Sequence, residues 1–223
     1  MQNTTITHKV VILGTAHGSN VPGKRSPDGK FREYKFSREV INLLKPRLEA
    51  HGFTVFVDMP SDEVPRPGST ELSLRCRYVN GICKKFGPQN CIYVSIHVNA
   101  GGGRGAETYC YDLQGAGGRL ARAIQKQLVK TLSPFDQGYK DRGVKAHPSF
   151  CVLRQTAMPA VLVLNVAMLL VMLSMRWRRA WIPLAAFAAA FPAIRTYIPL
   201  NFAAADDTAQ EECLRLMTFN VCG

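Results

Sequence analysis

Cys91-Ile92-Tyr93-Val94-Ser95-Ile96-His97-Val98-Asn99-Ala100 decides how the rest of the chain is read. The run is apolar and β-branched. Pro88-Gln89-Asn90 precedes it and Gly101-Gly102-Gly103 follows it. An apolar run bounded by turn formers predicts a buried strand that empties into a loop. His97 falls at the C-terminal end of that strand. In an open α/β sheet, ligands and reacting groups collect in the crevice beyond the strand ends. A single histidine there is ordinarily a hydrogen-bonded core or loop residue. What it does depends on what other segments bring to the same end.

Working outward, Val10-Val11-Ile12-Leu13 predicts a first strand, followed by a tight loop, Gly14-Thr15-Ala16-His17-Gly18. Phe36, Val40, Ile41, Leu44 and Leu48 recur at helical spacing and predict an amphipathic helix from Glu33 to Ala50, stopped by Gly52 and kinked at Pro46. Thr54–Asp58 predicts a strand and Pro60–Ser69 a proline-rich loop. Leu72, Cys76, Val79 and Cys83 predict a second helix. Glu107–Tyr111 predicts a further strand, and Leu120, Ala121, Ile124, Leu128 and Leu132 a third helix. Phe150–Arg154 and Ala160–Val163 are expected as late strands. Strands alternating with helices predict a three-layer α/β domain.

The chain has 223 residues and a formal charge of +12, which points to an anionic partner or a solvated surface. Basic and aromatic residues do not interleave as they do in single-strand binders, so nucleic acid is not expected as a partner. The seven cysteines form no C-x-x-C pair, and Cys76, Cys83, Cys91 and Cys151 fall inside expected elements. That pattern predicts buried, reduced thiols made in a cytosol. Met1–His8 is polar and reads as no signal peptide.

The character changes near the end. Met158–Met175 carries no charge, Arg176-Trp177-Arg178-Arg179 follows, and Ala180–Leu200 is almost wholly apolar. Two runs near the length of a membrane span around a basic turn predict a C-terminal apolar helical hairpin at about 166–200, with two buried helices as the alternative. Residues 201–223 read as a polar, acidic linker and a strand-like stub of a further domain.

His17, Glu33 and His97 are the candidate metal ligands. Two imidazoles and one carboxylate suit a catalytic Zn²⁺, which keeps its fourth position open. Their spacing alone leaves that open. The local words carry more: Gly14-Thr15-Ala16-His17-Gly18, Arg32-Glu33-Tyr34, Leu74-Arg75 with Asn80, Ser95-Ile96-His97-Val98-Asn99-Ala100, Arg104-Gly105-Ala106-Glu107-Thr108-Tyr109 and Met158-Pro159-Ala160-Val161-Leu162, in that order. Over residues 8–163 the chain resembles the zinc-dependent N-acetylmuramoyl-L-alanine amidases of the amidase-3 family. The resemblance is closest to compact, endolysin-like members. The family usually has an Asp and a Gly where Gly14 and Ala16 stand, a departure that touches the loop more than the ligand.

The resemblance implies a mostly parallel twisted sheet flanked by helices and one Zn²⁺ held by His17, Glu33 and His97. It also implies hydrolysis of the amide between N-acetylmuramic acid and L-alanine in peptidoglycan. Arg75 and Arg104 are candidates to meet peptide carboxylates, with solvated arginines as the plain alternative. Asn99 is carried as a substrate contact, although with Ser95 it also fits a role in shaping the strand end. Glu107 follows the family's Gly-x-Glu word, where a structural role is expected. The family then places a Glu, acting as general base and acid, directly after Val163. Here that position is Leu164, and no catalytic residue is identified. Losing a general base typically costs about 10²–10⁴-fold.

The tail from about Val166 resembles the membrane segment and first strand of membrane-attached endonuclease/exonuclease/phosphatase proteins, with Asn220 in Met217-Thr218-Phe219-Asn220-Val221 at that family's metal-phosphate position. The sequence therefore reads as a junction: an amidase-like domain at 1–165, a transmembrane hairpin at 166–200 and a linker with a stub at 201–223. The expected function is an impaired amidase. The alternatives are a non-catalytic, membrane-attached zinc- or peptidoglycan-binding module and a non-functional chimera. The domain looks made in the cytosol and aimed at the cell wall, while the tail looks made for a membrane.

Overall fold

The computed structural model describes residues 9–26, 29–65, 69–98 and 105–165. The strands are β1 (Val10–Thr15), β2 (Thr54–Val57), β3 (Cys91–His97), β4 (Ala106–Cys110), β5 (Asp141–Ala146) and β6 (Ala160–Asn165). The helices are α1 (Glu33–Ala50), α2 (Ser69–Phe86), α3 (Ala116–Leu132) and α4 (Cys151–Arg154). The strands form one sheet in the order β2-β1-β3-β6-β4-β5. Every neighbouring pair is parallel except β4 with β6. The expectation of a mostly parallel sheet flanked by helices holds for the described residues.

The sheet is buried on both faces, which is why its central strands are continuous apolar runs rather than alternating ones. Val11, Leu13, Ile92, Val94 and Ile96 pack on one face against Phe36, Ile41 and Leu48 of α1 and Leu120, Ile124 and Leu128 of α3. Val10, Ile12, Cys91 and Tyr93 pack on the other against Cys76, Val79 and Cys83 of α2 and Val152 and Leu153 of α4. Truncating one of these buried aliphatic side chains to Ala costs about 2–5 kcal/mol.

Helix α1 has the expected bounds and continues through Pro46. Two expectations are corrected. Phe150–Arg154 is not a strand: Cys151–Arg154 forms the single turn of α4, with Val152 and Leu153 buried. The strand that precedes β6 is instead β5, a polar edge strand. Leu72 is also not part of α2's buried side, being 37% exposed. Cys76, Cys83, Cys91 and Cys110 are buried free thiols, in line with the reading of reduced cysteines, and Cys151 is partly exposed. No helix among the described residues is long and apolar enough to cross a membrane. The expected hairpin at 166–200, the linker at 201–223 and Asn220 lie outside the described residues.

Candidate metal centre

His17, Glu33 and His97 come together at the C-terminal ends of β1 and β3, with one ligand atom from each within 4.8 Å of the others. Glu33 is the first residue of α1 and is 5% exposed. One carboxylate oxygen, Oε1, accepts the Val98 backbone N–H at 3.1 Å and lies 2.9 Å from His97 Nδ1. The other, Oε2, lies 3.6 Å from His17 Nε2. The imidazoles meet edge to face, with ring centroids 5.2 Å apart.

The donor set fits zinc. Tetrahedral Zn²⁺ with bonds of about 2.0–2.1 Å sets its ligand atoms about 3.3 Å apart, close to the spacing these side chains hold. Protonation also suits ligation. Burial first and then the neighbouring His97, partly opposed by Glu33, bring the His17 pKa down to about 4, so the ring is neutral at physiological pH. Burial alone would raise Glu33, but the hydrogen bond from His97, the charge of both imidazoles and the Val98 N–H more than offset it. The carboxylate is therefore ionised, as a metal ligand must be.

A second layer of buried polar groups fixes the loop that carries His17. His17 adopts φ of +41°, a left-handed conformation uncommon for a residue with a Cβ. It is held there by its own carbonyl, which accepts from Arg38 Nη2 and Arg75 Nη2, each at 3.1 Å. Gly18 is required next to it, since a Cβ there would come within 2.8 Å of Val64 Cγ1. Ser37 Oγ accepts the Ala16 N–H at 2.9 Å and donates to the Ile96 carbonyl at 2.8 Å. That ties the His17 loop to the end of β3. Ser37 lies one helical turn after Glu33, so one face of α1 supplies both a ligand and a brace.

Arg75 is the clearest correction among the site residues. It was a candidate to meet peptide carboxylates, with a solvated arginine as the plain alternative, yet it is 2% exposed and its guanidinium is used inside the protein. Arg75 Nη1 donates to Asp58 Oδ2 at 2.8 Å and to Thr15 Oγ1 at 2.9 Å, and Nε donates to Glu71 Oε1 at 2.8 Å. Burial works against its charge, but Asp58, Tyr93 and Glu71 outweigh that and raise its pKa. Asp58 also accepts from the Thr15 N–H and from Tyr93 Oη, both at 2.8 Å. Arg75 therefore positions the His17 backbone rather than touching a ligand. Asn99 and Arg104 lie outside the described residues.

Leu164 sits beside this centre. In the β3–β6 register it is the partner of His97, and in the β4–β6 register it is the partner of Glu107. Side chains in register on adjacent strands point to the same face, so His97, Leu164 and Glu107 form one row across the sheet. Leu164 is half-buried and packs against the α2-side core. Glu107 is 2% exposed and is paired through Oε2 with Lys145 Nζ at 2.5 Å and Arg142 Nε at 3.2 Å. Ser37, Arg38, Asp58, Arg142 and Lys145 were not singled out from the sequence. Of these only Ser37 carried a usable signal, its spacing of four residues from Glu33 on α1.

The family model described as N-acetylmuramoyl-L-alanine amidase matches residues 11–168. A second model, described as a domain of unknown function, matches residues 147–197 and so runs across the position where the sequence suggested a junction. The endolysin of Bacillus phage SPP1 is 40% identical over 163 residues, covering 70% of this chain and 54% of that protein. The sporulation-specific N-acetylmuramoyl-L-alanine amidase of Bacillus subtilis is 28% identical over 158 residues, with the same coverage. Among solved structures, the N-acetylmuramoyl-L-alanine amidase from Clostridium difficile 630 superposes with a TM-score of 0.67 at 21% identity, covering 88% of this chain and all of that one. The CwlD amidase of Clostridioides difficile, solved in complex with the GerS lipoprotein, gives 0.69 at 19% identity, covering 87% and 100%. These structural likenesses establish the fold. The family match establishes more: the chain belongs to the N-acetylmuramoyl-L-alanine amidase family. It spans about half the length, or less, of the curated relatives it matches.

Proposed function

We propose that residues 9–165 form a zinc amidase domain directed at the bond between N-acetylmuramic acid and L-alanine in peptidoglycan. Its turnover is impaired by Leu164. The observation that carries this reading is the convergence of His17, Glu33 and His97 at the strand ends of a chain in this family. The three side chains would hold one Zn²⁺, with Glu33 supplying the negative charge and the imidazoles neutral lone pairs. What the metal supplies when bound is Lewis acidity toward the scissile carbonyl.

The chain's own residues set the rest. Arg38, Arg75 and Ser37 hold the His17 loop against β3, so the ligand geometry is fixed before substrate arrives. Proton transfer is the missing function. Leu164 lies laterally beside His97, where a carboxylate would face the reacting water and the leaving amine, and a hydrocarbon can neither take nor give a proton. Glu107, the next carboxylate along the row, is engaged by Lys145 and Arg142, and both lower its pKa. A weakly basic, ion-paired carboxylate is a poor replacement.

The same two observations favour a second reading. In it the domain is a non-catalytic zinc- and peptidoglycan-binding module. Zinc binding is measured by competition with a chromophoric chelator, and turnover by release of new amino termini from purified peptidoglycan. The amidase reading expects one tightly bound zinc and slow, zinc-dependent release. Zinc and peptidoglycan binding with no product supports the module. Failure to bind zinc overturns both.

A further inference from the structure

Cys76 of α2 and Cys151 of α4 are 75 positions apart in the chain, yet their Sγ atoms lie 3.8 Å apart. Cys76 is buried in the α2-side core, whereas Cys151 is partly exposed. Further hydrogen bonds join the same two segments. Cys76 Sγ donates to the Cys151 carbonyl at 3.7 Å. One helical turn on, Asn80 Nδ2 donates to the Gln155 carbonyl at 2.7 Å, and Asn80 Oδ1 accepts the Ala157 N–H at 2.9 Å. Cys76 and Asn80 are four residues apart on α2 and so share a face. That face holds α4 and the turn after it against the Cys76 sulfur. Cys83 and Cys91 are also neighbours, across α2 and β3, but each is 1% exposed, which denies a reagent access. The Cys76–Cys151 pair differs because Cys151 reaches the surface.

A disulfide holds its sulfurs about 2.05 Å apart, so these two must approach by about 1.8 Å. Side-chain rotation and a small shift of the one-turn helix α4 close that gap. We infer that Cys76 and Cys151 form an oxidation site, at which a small-molecule disulfide converts the two thiols into a bond that staples α2 to α4. The step balances. Cys151 Sγ attacks one sulfur of the reagent, whose own S–S bond breaks and releases one small thiol. Cys76 Sγ then attacks the Cys151 sulfur of the mixed disulfide and releases the second. The two protein protons end on the released thiols, and the two electrons reduce the reagent. Access sets the order. Burial and then the neighbouring Cys151 push the Cys76 thiol up to about 12, so Cys151 meets the reagent and Cys76 resolves the mixed disulfide, aided by contact with it. The staple bears on the candidate metal centre through the residue before Cys76: Arg75 braces the His17 carbonyl. The inference depends on neither the zinc nor the amidase reading.

The test is a thiol map joined to a melting curve. The full chain is purified with a reductant, freed of it, and equilibrated with mixtures of oxidised and reduced glutathione. Free thiols are blocked by alkylation, and the digested chain is mapped by mass spectrometry. The expected product is a peptide pair joined at Cys76 and Cys151, lighter by two hydrogens than the separate peptides and parted again by reductant. The bond closes a long loop in the unfolded chain, so the oxidised protein should melt about 5–15 °C higher. Cys151→Ser should lose both the cross-link and the rise, while its reduced form melts close to the reduced natural chain, which shows that the fold survives. Cys83→Ala should keep both. Recovery of Cys151 only as its mixed disulfide with glutathione overturns the inference, as does recovery of both thiols alkylated from the fully oxidising mixture. A rise that survives Cys151→Ser, or a cross-link that leaves the melting temperature unchanged, overturns the staple. Because neither zinc nor peptidoglycan enters the measurement, a failure of the amidase reading would show separately, as absent zinc binding or absent product.

Discussion

The two flanks of β6 are built alike and do different things. On the β1–β3 side, a buried arginine network ends in the carbonyl of His17 and leaves the ligand side chains of His17, Glu33 and His97 facing one another. On the β4–β5 side, a buried carboxylate, Glu107, draws two cations toward the same face. Both flanks satisfy their buried charges with opposite charges, as buried ions require. Between them β6 contributes Leu164, which satisfies nothing and reaches toward both. The ligand geometry and the charged surroundings are thus supplied by elements other than β6.

Breaking the first flank should have the largest effect. Arg75→Met leaves Asp58 and Glu71 as buried charges without their cation, and chemical unfolding should show a loss of about 3–5 kcal/mol. A loss under 1 kcal/mol would mean that the network does not hold the loop. Zinc should come next. At a concentration one hundred times its dissociation constant, the ion should stabilise the domain by about 2.7 kcal/mol. The shift should appear in thermal unfolding and disappear in His97→Ala.

The second flank should matter less and should depend on pH. Glu107→Gln should cost about 1–3 kcal/mol at neutral pH. Burial raises the Glu107 pKa, but the hydrogen bond from Lys145 and the Arg142 charge overcome it and hold the value below the ordinary 4.5. A carboxylate depressed in the folded state stabilises above its unfolded value, and that contribution is lost as pH falls through the folded one. The gap between Glu107→Gln and the natural chain, followed by urea unfolding, should therefore be widest near neutrality and narrow as pH falls below the ordinary 4.5. A gap that widens in acid would assign Glu107 a different partner.

Much of the first flank was readable from the sequence. Helix α1 was bounded correctly because its apolar residues keep one face over eighteen residues and Gly52 stops it. Strand β3 was read from its unbroken apolar run. His17, Glu33 and His97 were candidates from their places in loops and at element ends, and it was the resemblance to the amidase-3 family in the words around them that joined them into one ligand set. The second flank was readable only in part: β4 and Glu107 were expected, while β5 was not, for reasons of length and exposure. Phe150–Arg154 is too short for its apolar residues to distinguish a helical period from a strand period, and it became α4. Strand β5 is a polar edge strand with no buried face, so periodicity could not detect it, and Arg142 and Lys145 went with it. Arg75 was read as a surface cation because sequence does not reveal that Asp58 and Glu71 are waiting behind it.

The central claim is that only Leu164 separates this domain from full turnover. The direct measurement is the zinc-dependent release of L-alanine amino termini from peptidoglycan by the natural chain and by Leu164→Glu, at matched zinc occupancy. The account predicts that the variant is faster by about 10²–10⁴-fold. A variant no faster than the natural chain, or a natural chain already turning over at the variant's rate, would contradict it.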